Sequence, residues 1–270
     1  MSDLKVGIVG CAGRMGRMLV KQVTQTEGCS ICGGVEQTGS DYLGKDIHGL
    51  AGLEPSGITV TDDTTHLFEM ADAIIDFTAP ATSVAHAKLA AKYQTILVIG
   101  TTGIAPEEQA EITESGQKTV IVQGANMSLG VNLLAQLARK VAGILDDEFD
   151  IEILEMHHHH KVDAPSGTAL LLGKAAAEGR GVDHDAVADR GRDGITGARK
   201  RGDIGYAVLR GGNVVGDHTL IFAAENERIE LTHKAGDRSI FARGAVRAAL
   251  WAQGKPAGNY DMMDVLGLEG

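Results

Sequence analysis

The most chemically capable part of the sequence is a run of histidines and a lysine between an apolar segment and a predicted helix start. It reads His157-His158-His159-His160-Lys161 and is followed by Ser166-Gly167-Thr168. A histidine can transfer protons near neutral pH, and a lysine can hold a carboxylate. The serine opens a helix whose free N–H groups suit a second anion. These residues predict a receptor for a small dianion, equipped with a proton donor.

Two other interpretations of the histidine run stay open. Four adjacent histidines point in different directions, and no carboxylate or cysteine has ligand spacing to them, which disfavours a metal site. A solvated polar loop is the plainer alternative. The pair Cys29-x-x-Cys32 raises the same question of metal or redox chemistry, but no second pair has matching spacing. We interpret both cysteines as structural and predict no metal.

A second chemical signal lies near the N-terminus. The loop Gly10-Cys11-Ala12-Gly13-Arg14-Met15-Gly16 follows an apolar run, and Glu36 lies twenty residues beyond Gly16. Glycines let N–H groups approach a pyrophosphate at a helix start, and an acid at that distance accepts hydrogen bonds from a ribose diol. The spacing predicts a nicotinamide or flavin dinucleotide, although Ala12 departs from the usual G-x-G-x-x-G. The alternative is a tight structural turn beside an unrelated Glu36.

Glu36 also bears on the choice of cofactor. Its carboxylate would repel a 2′-phosphate, and Gln37 adds no positive charge, so NADH is favoured and NADPH is left open. Further polar turns follow later predicted strands and are expected at the same sheet edge, where they would line the nicotinamide. These turns are Phe77-Thr78, Gly100-Thr101-Thr102-Gly103 and Gly124-Ala125-Asn126-Met127.

The predicted elements place these two groups of residues in two domains. Strands and helices alternate up to about residue 128, which predicts a parallel Rossmann-type sheet with helices on both faces. A long helix, a strand near 149–156, a short helix from Ser166 and three consecutive strands then predict an α+β domain with a mixed open sheet. We expect a dinucleotide-binding domain at 1–128, completed by 238–270, and a substrate-binding and oligomerisation domain at 129–237.

Composition excludes some classes of function. The 270 residues include 25 Lys and Arg against 36 Asp and Glu, and the net charge of −11 argues against nucleic-acid or anionic-membrane binding. An uncharged stretch between Lys118 and Arg139 is interrupted by polar side chains, so no membrane span is predicted. Three cysteines and no apolar leader favour the cytoplasm. The basic loop 190–201 is interpreted as solvated.

Four segments of the sequence resemble the motifs of the 4-hydroxy-tetrahydrodipicolinate reductase (dihydrodipicolinate reductase) family of bacterial lysine and diaminopimelate biosynthesis. They are 10–16, 100–103, 125–132 and Glu155 to Ala169. The resemblance covers nearly the whole chain. It implies a homotetrameric NAD(P)H-dependent oxidoreductase that reduces 4-hydroxy-tetrahydrodipicolinate to tetrahydrodipicolinate with loss of water. The alternative is another two-domain NAD(P)-dependent dehydrogenase acting on an amino or keto acid.

The resemblance also implies roles for individual residues. His157 would be the catalytic acid/base, and Lys161 would donate a proton and lie close to a substrate carboxylate. Substrate binding would involve His158, Lys161, Ser166, Gly167 and Thr168. Cofactor binding would involve Gly10, Cys11, Ala12, Gly13, Arg14, Met15, Glu36, Gly100, Thr101, Thr102, Gly124, Ala125, Asn126 and Met127. Many members carry Arg where Gln37 and Ala79 stand here, which weakens the expectation of efficient NADPH use, and we assign His159 no role.

Overall fold

The computed structural model describes residues 3–268 and divides into two compact units. The first, here called the N-terminal unit, joins Met1–Leu129 to Ser239–Gly270. The second, the central unit, is Gly130–Arg238. The ends of the predicted domain ranges, residues 1, 2, 269 and 270, lie outside the described residues.

The N-terminal unit begins with strands and helices in alternation. Its elements are β1 (Leu4–Val9), α1 (Arg14–Thr24), β2 (Cys29–Val35), α2 (Ile47–Leu50), α3 (Thr64–Met70), β3 (Ala73–Asp76), α4 (Pro80–Tyr93), β4 (Ile96–Ile99), α5 (Pro106–Gly116) and β5 (Val120–Gln123). The inner strands are short and almost wholly buried. A parallel sheet with helices on both faces requires such continuous apolar runs.

The central unit starts as α6 leaves the N-terminal unit. Its elements are α6 (Leu129–Ile144), β6 (Asp150–His157), α7 (Gly167–Arg180), α8 (His184–Val187), β7 (Ala188–Asp189), β8 (Ile204–Arg210), β9 (Asp217–Ala223) and β10 (Arg228–Lys234). The strand order is β10-β9-β6-β8-β7, with β8 parallel and β9 antiparallel to β6. Side chains of β6 alternate between buried and half-buried, because α7 packs against one face of the sheet.

The chain then returns to the N-terminal unit through α9 (Ser239–Trp251), β11 (Gly258–Tyr260) and α10 (Met262–Leu266). Helix α9 packs against α1, and β11 pairs in parallel with β5. The resulting six-stranded sheet has the order β11-β5-β4-β3-β1-β2. The predicted fold class, a Rossmann-type unit plus an α+β unit with a mixed sheet, is confirmed.

One predicted element is wrong in length. The short helix expected from Ser166 is α7, which has 14 residues and is capped by the Ser166 side chain. Its buried Leu172 and Ala176 continue the apolar face, and the helix ends only at Gly181, whose φ of +67° suits glycine. Within residues 3–268, no helix combines the length and the apolar character needed to cross a membrane.

Candidate active site

The predicted cofactor residues meet at one edge of the N-terminal sheet. All its strands run in parallel, so their carboxyl ends lie together, where open α/β sheets hold ligands. The glycine-rich loop follows β1, Glu36 follows β2, and the later turns follow β3, β4 and β5. The structure therefore brings these residues together as the sequence spacing suggested.

The glycine-rich loop has the close backbone contacts that a phosphate-binding turn needs. Gly10 has a φ of +67°, and a Cβ at Gly16 would lie 2.2 Å from the carbonyl oxygen of Gly10. Helix α1 follows at Arg14, and its N-cap residue Gly13 makes no side-chain capping bond. The first-turn N–H groups of a helix have no carbonyl partner within the helix, which suits them to a phosphate.

Glu36 holds this loop in place. Its Oε1 accepts a hydrogen bond of 2.7 Å from the N–H of Ala12. A carboxylate offers about four acceptor positions, so Glu36 keeps capacity for ribose hydroxyls. A cavity of about 300 Å³ opens beside it, with walls that include Gln37, Thr78 and His86. The site therefore fits a dinucleotide. It combines a loop that has room only for glycine at Gly16, the start of α1, and the Glu36 carboxylate beside a cavity.

A buried carboxylate organises the neighbouring turns. Asp76 ends β3 and accepts hydrogen bonds from the Thr78 N–H (2.8 Å) and hydroxyl (2.6 Å). His86 Nδ1 lies 2.8 Å from its Oδ2, and the Thr101 hydroxyl lies 3.4 Å from its Oδ1. Burial acts to raise the pKa of Asp76, but His86 and the Thr78 hydrogen bonds hold that pKa below its ordinary value. Asp76 is therefore ionised and fixes two turns at the strand ends.

The central unit places His157 at the end of β6, beside a second buried carboxylate. His157 Nδ1 lies 2.5 Å from Glu155 Oε2. Arg210 donates to both oxygens of Glu155, at 2.8 and 3.0 Å, and the Ser166 N–H donates to Oε1 at 3.0 Å. Burial acts to raise the pKa of Glu155, but Arg210, His157 and Ser166 hold that pKa below its ordinary value. The imidazole thus lies against an ionised carboxylate.

The start of α7 lies in the same cluster. The Ser166 hydroxyl accepts a 3.1 Å hydrogen bond from the Ala169 N–H and lies 3.0 Å from His218 Nε2. Gly167 and Thr168 form the first turn of the helix. Because first-turn N–H groups carry partial positive charge, this helix start suits a carboxylate.

Lys161 is near this site but is already paired. Its ammonium group lies 2.7 and 2.8 Å from the two carboxylate oxygens of Asp163, whose side chain is 55% exposed. The Asp163 end of the pair is open to solvent, whereas the Lys161 side chain is only 20% exposed, so an added carboxylate would share or replace Asp163 to reach this ammonium group. The Nδ1 of His158 is buried and has no hydrogen-bond partner in the described part of the chain. Desolvation, assisted by Arg238, lowers the pKa of His158.

The remaining polar residues have more ordinary roles. His159 Nδ1 lies 2.9 Å from the carbonyl oxygen of Gly212. Among residues 3–268, no three His, Cys, Asp or Glu side chains are grouped to hold a metal ion.

The interpretation of the basic loop 190–201 as solvated is wrong for Arg199. This side chain donates hydrogen bonds to Asp150 and Glu152 and is 17% exposed. Acidic side chains on β6 attract this arginine onto the sheet.

Comparison with known proteins identifies the family. A model described as dihydrodipicolinate reductase, N-terminus, matches residues 4–127, and one described as dihydrodipicolinate reductase, C-terminus, matches residues 130–266. The chain belongs to the dihydrodipicolinate reductase family. Members of this family bind a nicotinamide dinucleotide. The family resemblance of the sequence motifs is confirmed.

Relatives within the dihydrodipicolinate reductase family match over the full length. The chain is 58% identical over 270 residues to a 4-hydroxy-tetrahydrodipicolinate reductase of Ruegeria sp. (strain TM1040), covering 99% of this chain and 100% of the relative. It is 58% identical over 269 residues to the enzyme of the same name from Parvibaculum lavamentivorans (strain DS-1 / DSM 13023 / NCIMB 13966), covering 99% of each.

Solved structures support the fold. A dipicolinate-bound dihydrodipicolinate reductase from Paenisporosarcina sp. TG-14 aligns with a TM-score of 0.75 at 24% identity, covering 97% of this chain and 98% of that chain. An amine dehydrogenase from Mycobacterium smegmatis aligns with a TM-score of 0.59 at 12% identity, covering 96% and 94%. The two-unit fold is therefore shared beyond this reductase family.

Sequence reasoning missed three residues around His157. Glu155 carried a usable signal, because residues two apart on a strand share a face of the sheet. Arg210 and His218 carried none, because they lie on β8 and β9, more than 50 residues along the chain from Glu155. Burial, with a smaller contribution from His157, lowers the pKa of His218 to about 4, so its imidazole is neutral near pH 7.

Proposed function

We propose that this protein reduces 4-hydroxy-tetrahydrodipicolinate to tetrahydrodipicolinate, in the biosynthesis of lysine and diaminopimelate. The observation that carries the proposal is the cluster in which the Glu155–His157 pair lies beside the start of α7. The proposal is also supported by relatives of that name that are 53–58% identical over nearly the whole chain. The substrate would be a cyclic dicarboxylate that loses its 4-hydroxyl group as water and gains a hydride and a proton.

The N-terminal unit would hold the nicotinamide cofactor, which supplies the hydride when bound. The glycine-rich loop and the start of α1 would bind the pyrophosphate, and Glu36 would accept hydrogen bonds from the ribose. The turns at 100–102 and 124–127 would line the nicotinamide. The carboxylate of Glu36 beside the neutral Gln37 supports a preference for NADH over NADPH, because neither side chain attracts a 2′-phosphate.

The central unit would bind the substrate and manage the protons. His157 Nε2 would exchange a proton with the substrate, and Lys161 would donate a second proton and bind one carboxylate. The start of α7, with Gly167 and Thr168, would bind the other carboxylate through backbone N–H groups, with His158 alongside. A substrate with two carboxylates would thus meet proton donors in His157 and Lys161. Its two negative charges would be bound by the Lys161 ammonium group and by the start of α7.

The open face of the central sheet supports assembly into a homotetramer. The face opposite α7 presents a set of half-buried or exposed apolar side chains in neighbouring register: Leu154, Met156, Ala207, Leu209 and Ile221. Leu209 is 46% exposed. An apolar sheet face of this kind is typical of a subunit interface.

We place the protein in the cytoplasm because its three cysteines are free thiols, which is typical of a reducing compartment.

A coupled assay tests the activity. The substrate is formed enzymatically from pyruvate and aspartate semialdehyde, this protein is added, and oxidation of NADH or NADPH is followed by absorbance. We expect oxidation that requires the condensation product and is faster with NADH. Oxidation driven equally well by simple keto acids with ammonia would contradict the proposal and favour an amino-acid dehydrogenase.

A further inference from the structure

We propose that Glu155 is a positioning residue, which fixes the proton-carrying nitrogen of His157 and ties that ring to the start of α7. This inference rests on the proposed function, because it assigns His157 the proton transfer. Glu155 is 1% exposed and is not expected to touch the substrate. It would act through the groups that it holds.

The contacts of Glu155 use the full hydrogen-bonding capacity of a carboxylate. Oε2 accepts from His157 Nδ1 at 2.5 Å and from Arg210 Nη1 at 2.8 Å. Oε1 accepts from Arg210 Nη2 at 3.0 Å and from the Ser166 N–H at 3.0 Å. A carboxylate has about four acceptor positions, and all are used. The three donors belong to β6, β8 and the N-cap of α7, so one side chain sets their relative positions.

These contacts determine the tautomer of His157. An ionised carboxylate only accepts hydrogen bonds, so Nδ1 must carry a proton and donate it to Glu155. Nε2 is then the nitrogen that gains and loses a proton during turnover. The backbone of Gly216 packs closely beside it, because a Cβ at that position would lie 2.9 Å from Nε2. A larger residue at position 216 would crowd the reactive nitrogen, whereas Glu155 holds the other nitrogen of the ring.

Arg210 makes this arrangement suitable for proton exchange. Its guanidinium balances the charge of Glu155 whether or not His157 is protonated, so loss of the proton leaves no buried anion without a partner. Arg210 also donates to the carbonyl oxygen of Asp163 at 2.7 Å, which anchors the loop that carries Lys161. Glu155 and Arg210 together connect the imidazole, the lysine loop and the helix start.

Other titratable groups face the pair from the surrounding elements. The ring of His218 on β9 lies edge-on to that of His157, with ring centroids 5.0 Å apart. His233 on β10 lies next to His218 in register, and the Lys161–Asp163 pair lies in the loop after β6. None of these groups is itself substituted in a Glu155 variant. A shift in pH dependence then reports the charge of Glu155.

The variant Glu155→Gln keeps the size of the side chain and removes its charge. We expect kcat to fall at least about 100-fold, since loss of the carboxylate beside a catalytic histidine costs up to about 10⁴-fold, with NADH affinity changed less than about twofold. The basic limb of the kcat–pH profile should move to lower pH by about one unit, because the protonated imidazole loses its anionic partner. Unchanged kcat, or a loss of kcat with the limb unmoved, would overturn the proposal.

Glu178→Gln is the matched control. Glu178 lies on α7 in the same unit, and its side chain is 61% exposed and pairs with Arg139. The same chemical change at this surface position should leave kcat and its pH profile as in the parent protein. An equal effect at both positions would assign the loss to net charge and overturn the positioning role.

Glu155→Asp keeps the charge but withdraws it by about 1.5 Å, one carbon–carbon bond. We expect the pH profile of the parent protein with kcat reduced about tenfold, since the ring is less well held. This variant also carries the test if Glu155→Gln does not fold, as judged by circular dichroism. A kcat equal to that of the parent protein in Glu155→Asp would show that the carboxylate position does not matter.

Nuclear magnetic resonance separates this inference from the proposed function. With ¹⁵N-labelled histidine, and His157 assigned through His157→Asn, long-range ¹H–¹⁵N spectra report the tautomer without turnover. We expect the Nδ1–H form in the parent protein and a mixture in Glu155→Gln. An inactive parent protein with the Nδ1–H form would contradict the proposed function and support the positioning role. The Nε2–H form in the parent protein would overturn the positioning role.

Discussion

Each of the two units buries one carboxylate against the Nδ1 of a histidine, and the two pairs are built differently. Among residues 3–268, Asp76 and Glu155 are the fully buried acids, with exposed fractions of 0% and 1%. Asp76 pairs with His86 on α4 and with the hydroxyl and N–H of Thr78. Glu155 pairs with His157 and, through two hydrogen bonds, with Arg210.

The difference lies in what compensates the charge. Around Asp76 the hydrogen-bond donors are the ring of His86, which also packs against the ring of Phe68, and the side chain and backbone of Thr78. Around Glu155 the arginine supplies a permanent positive charge, and His157 can gain or lose a proton. The second cation beside Glu155, which has no counterpart among the hydrogen-bond partners of Asp76, is the difference that suits the Glu155–His157 pair to the proton transfer proposed above.

The sharpest test of this comparison replaces each histidine by alanine. His157→Ala should lower kcat by about two to four decades with little change in NADH affinity, the usual scale for loss of a general acid or base. His86→Ala should leave kcat at saturating NADH within about threefold per folded molecule, because His86 lines the cofactor cavity and supports Asp76 but has no proton to transfer in the proposed reaction. Steady-state kinetics on protein of known folded fraction compares them. Equal losses of kcat would break the comparison.

The second test concerns stability. Asp76→Asn removes the charged acceptor of a buried hydrogen-bonded cluster and should lower the free energy of unfolding by about 3 kcal/mol, measured by urea denaturation. Glu111→Gln is the control, because its partner Lys88 lies at the surface, and the expected loss is below about 1 kcal/mol. If both variants were equally stable, Asp76 would not have the structural role assigned here.

The third test uses pH and concerns His218 beside the Glu155 cluster. Its folded-state pKa of about 4 lies below the ordinary 6.5, so between these values the unfolded chain binds a proton that the folded protein does not. Stability must therefore fall as pH falls through this window, by roughly 2 kcal/mol from about pH 7 to about pH 5. His218→Gln should remove that part of the pH dependence. Identical curves for both proteins would contradict the assignment.

The smallest expected effect is on cofactor choice in the N-terminal unit. Glu36→Gln should raise the Kd for NADH about tenfold, since a ribose acceptor and a loop contact are weakened. The Kd for NADPH should rise less or fall, because the repulsion of the 2′-phosphate is removed. Fluorescence titration with both cofactors measures the change. An equal rise in the Kd for NADH and for NADPH would contradict a role in cofactor choice. It would show that Glu36 acts only by holding the Ala12 backbone.

The parts of the site that were predictable are local in sequence. The glycine-rich loop, Glu36 and the strand-end turns could be assigned because a parallel sheet collects all its carboxyl ends at one edge. His157, Lys161 and the start of α7 lie within one stretch of the chain. The length of α7 is less predictable, because glycines are typical of helix ends, whereas Gly173 and Gly179 both lie within this helix.

The amino-acid sequence by itself determined the fold class, the family and the residue types available for chemistry, because periodic apolar runs and glycine spacing are local properties. Tertiary structure alone decided which carboxylates are buried and what they hold. Arg210 reaches Glu155 across 55 residues, and His218 reaches Ser166 across 52. Strand pairing creates these contacts, and no local pattern encodes the register that brings an arginine of β8 beside a glutamate of β6.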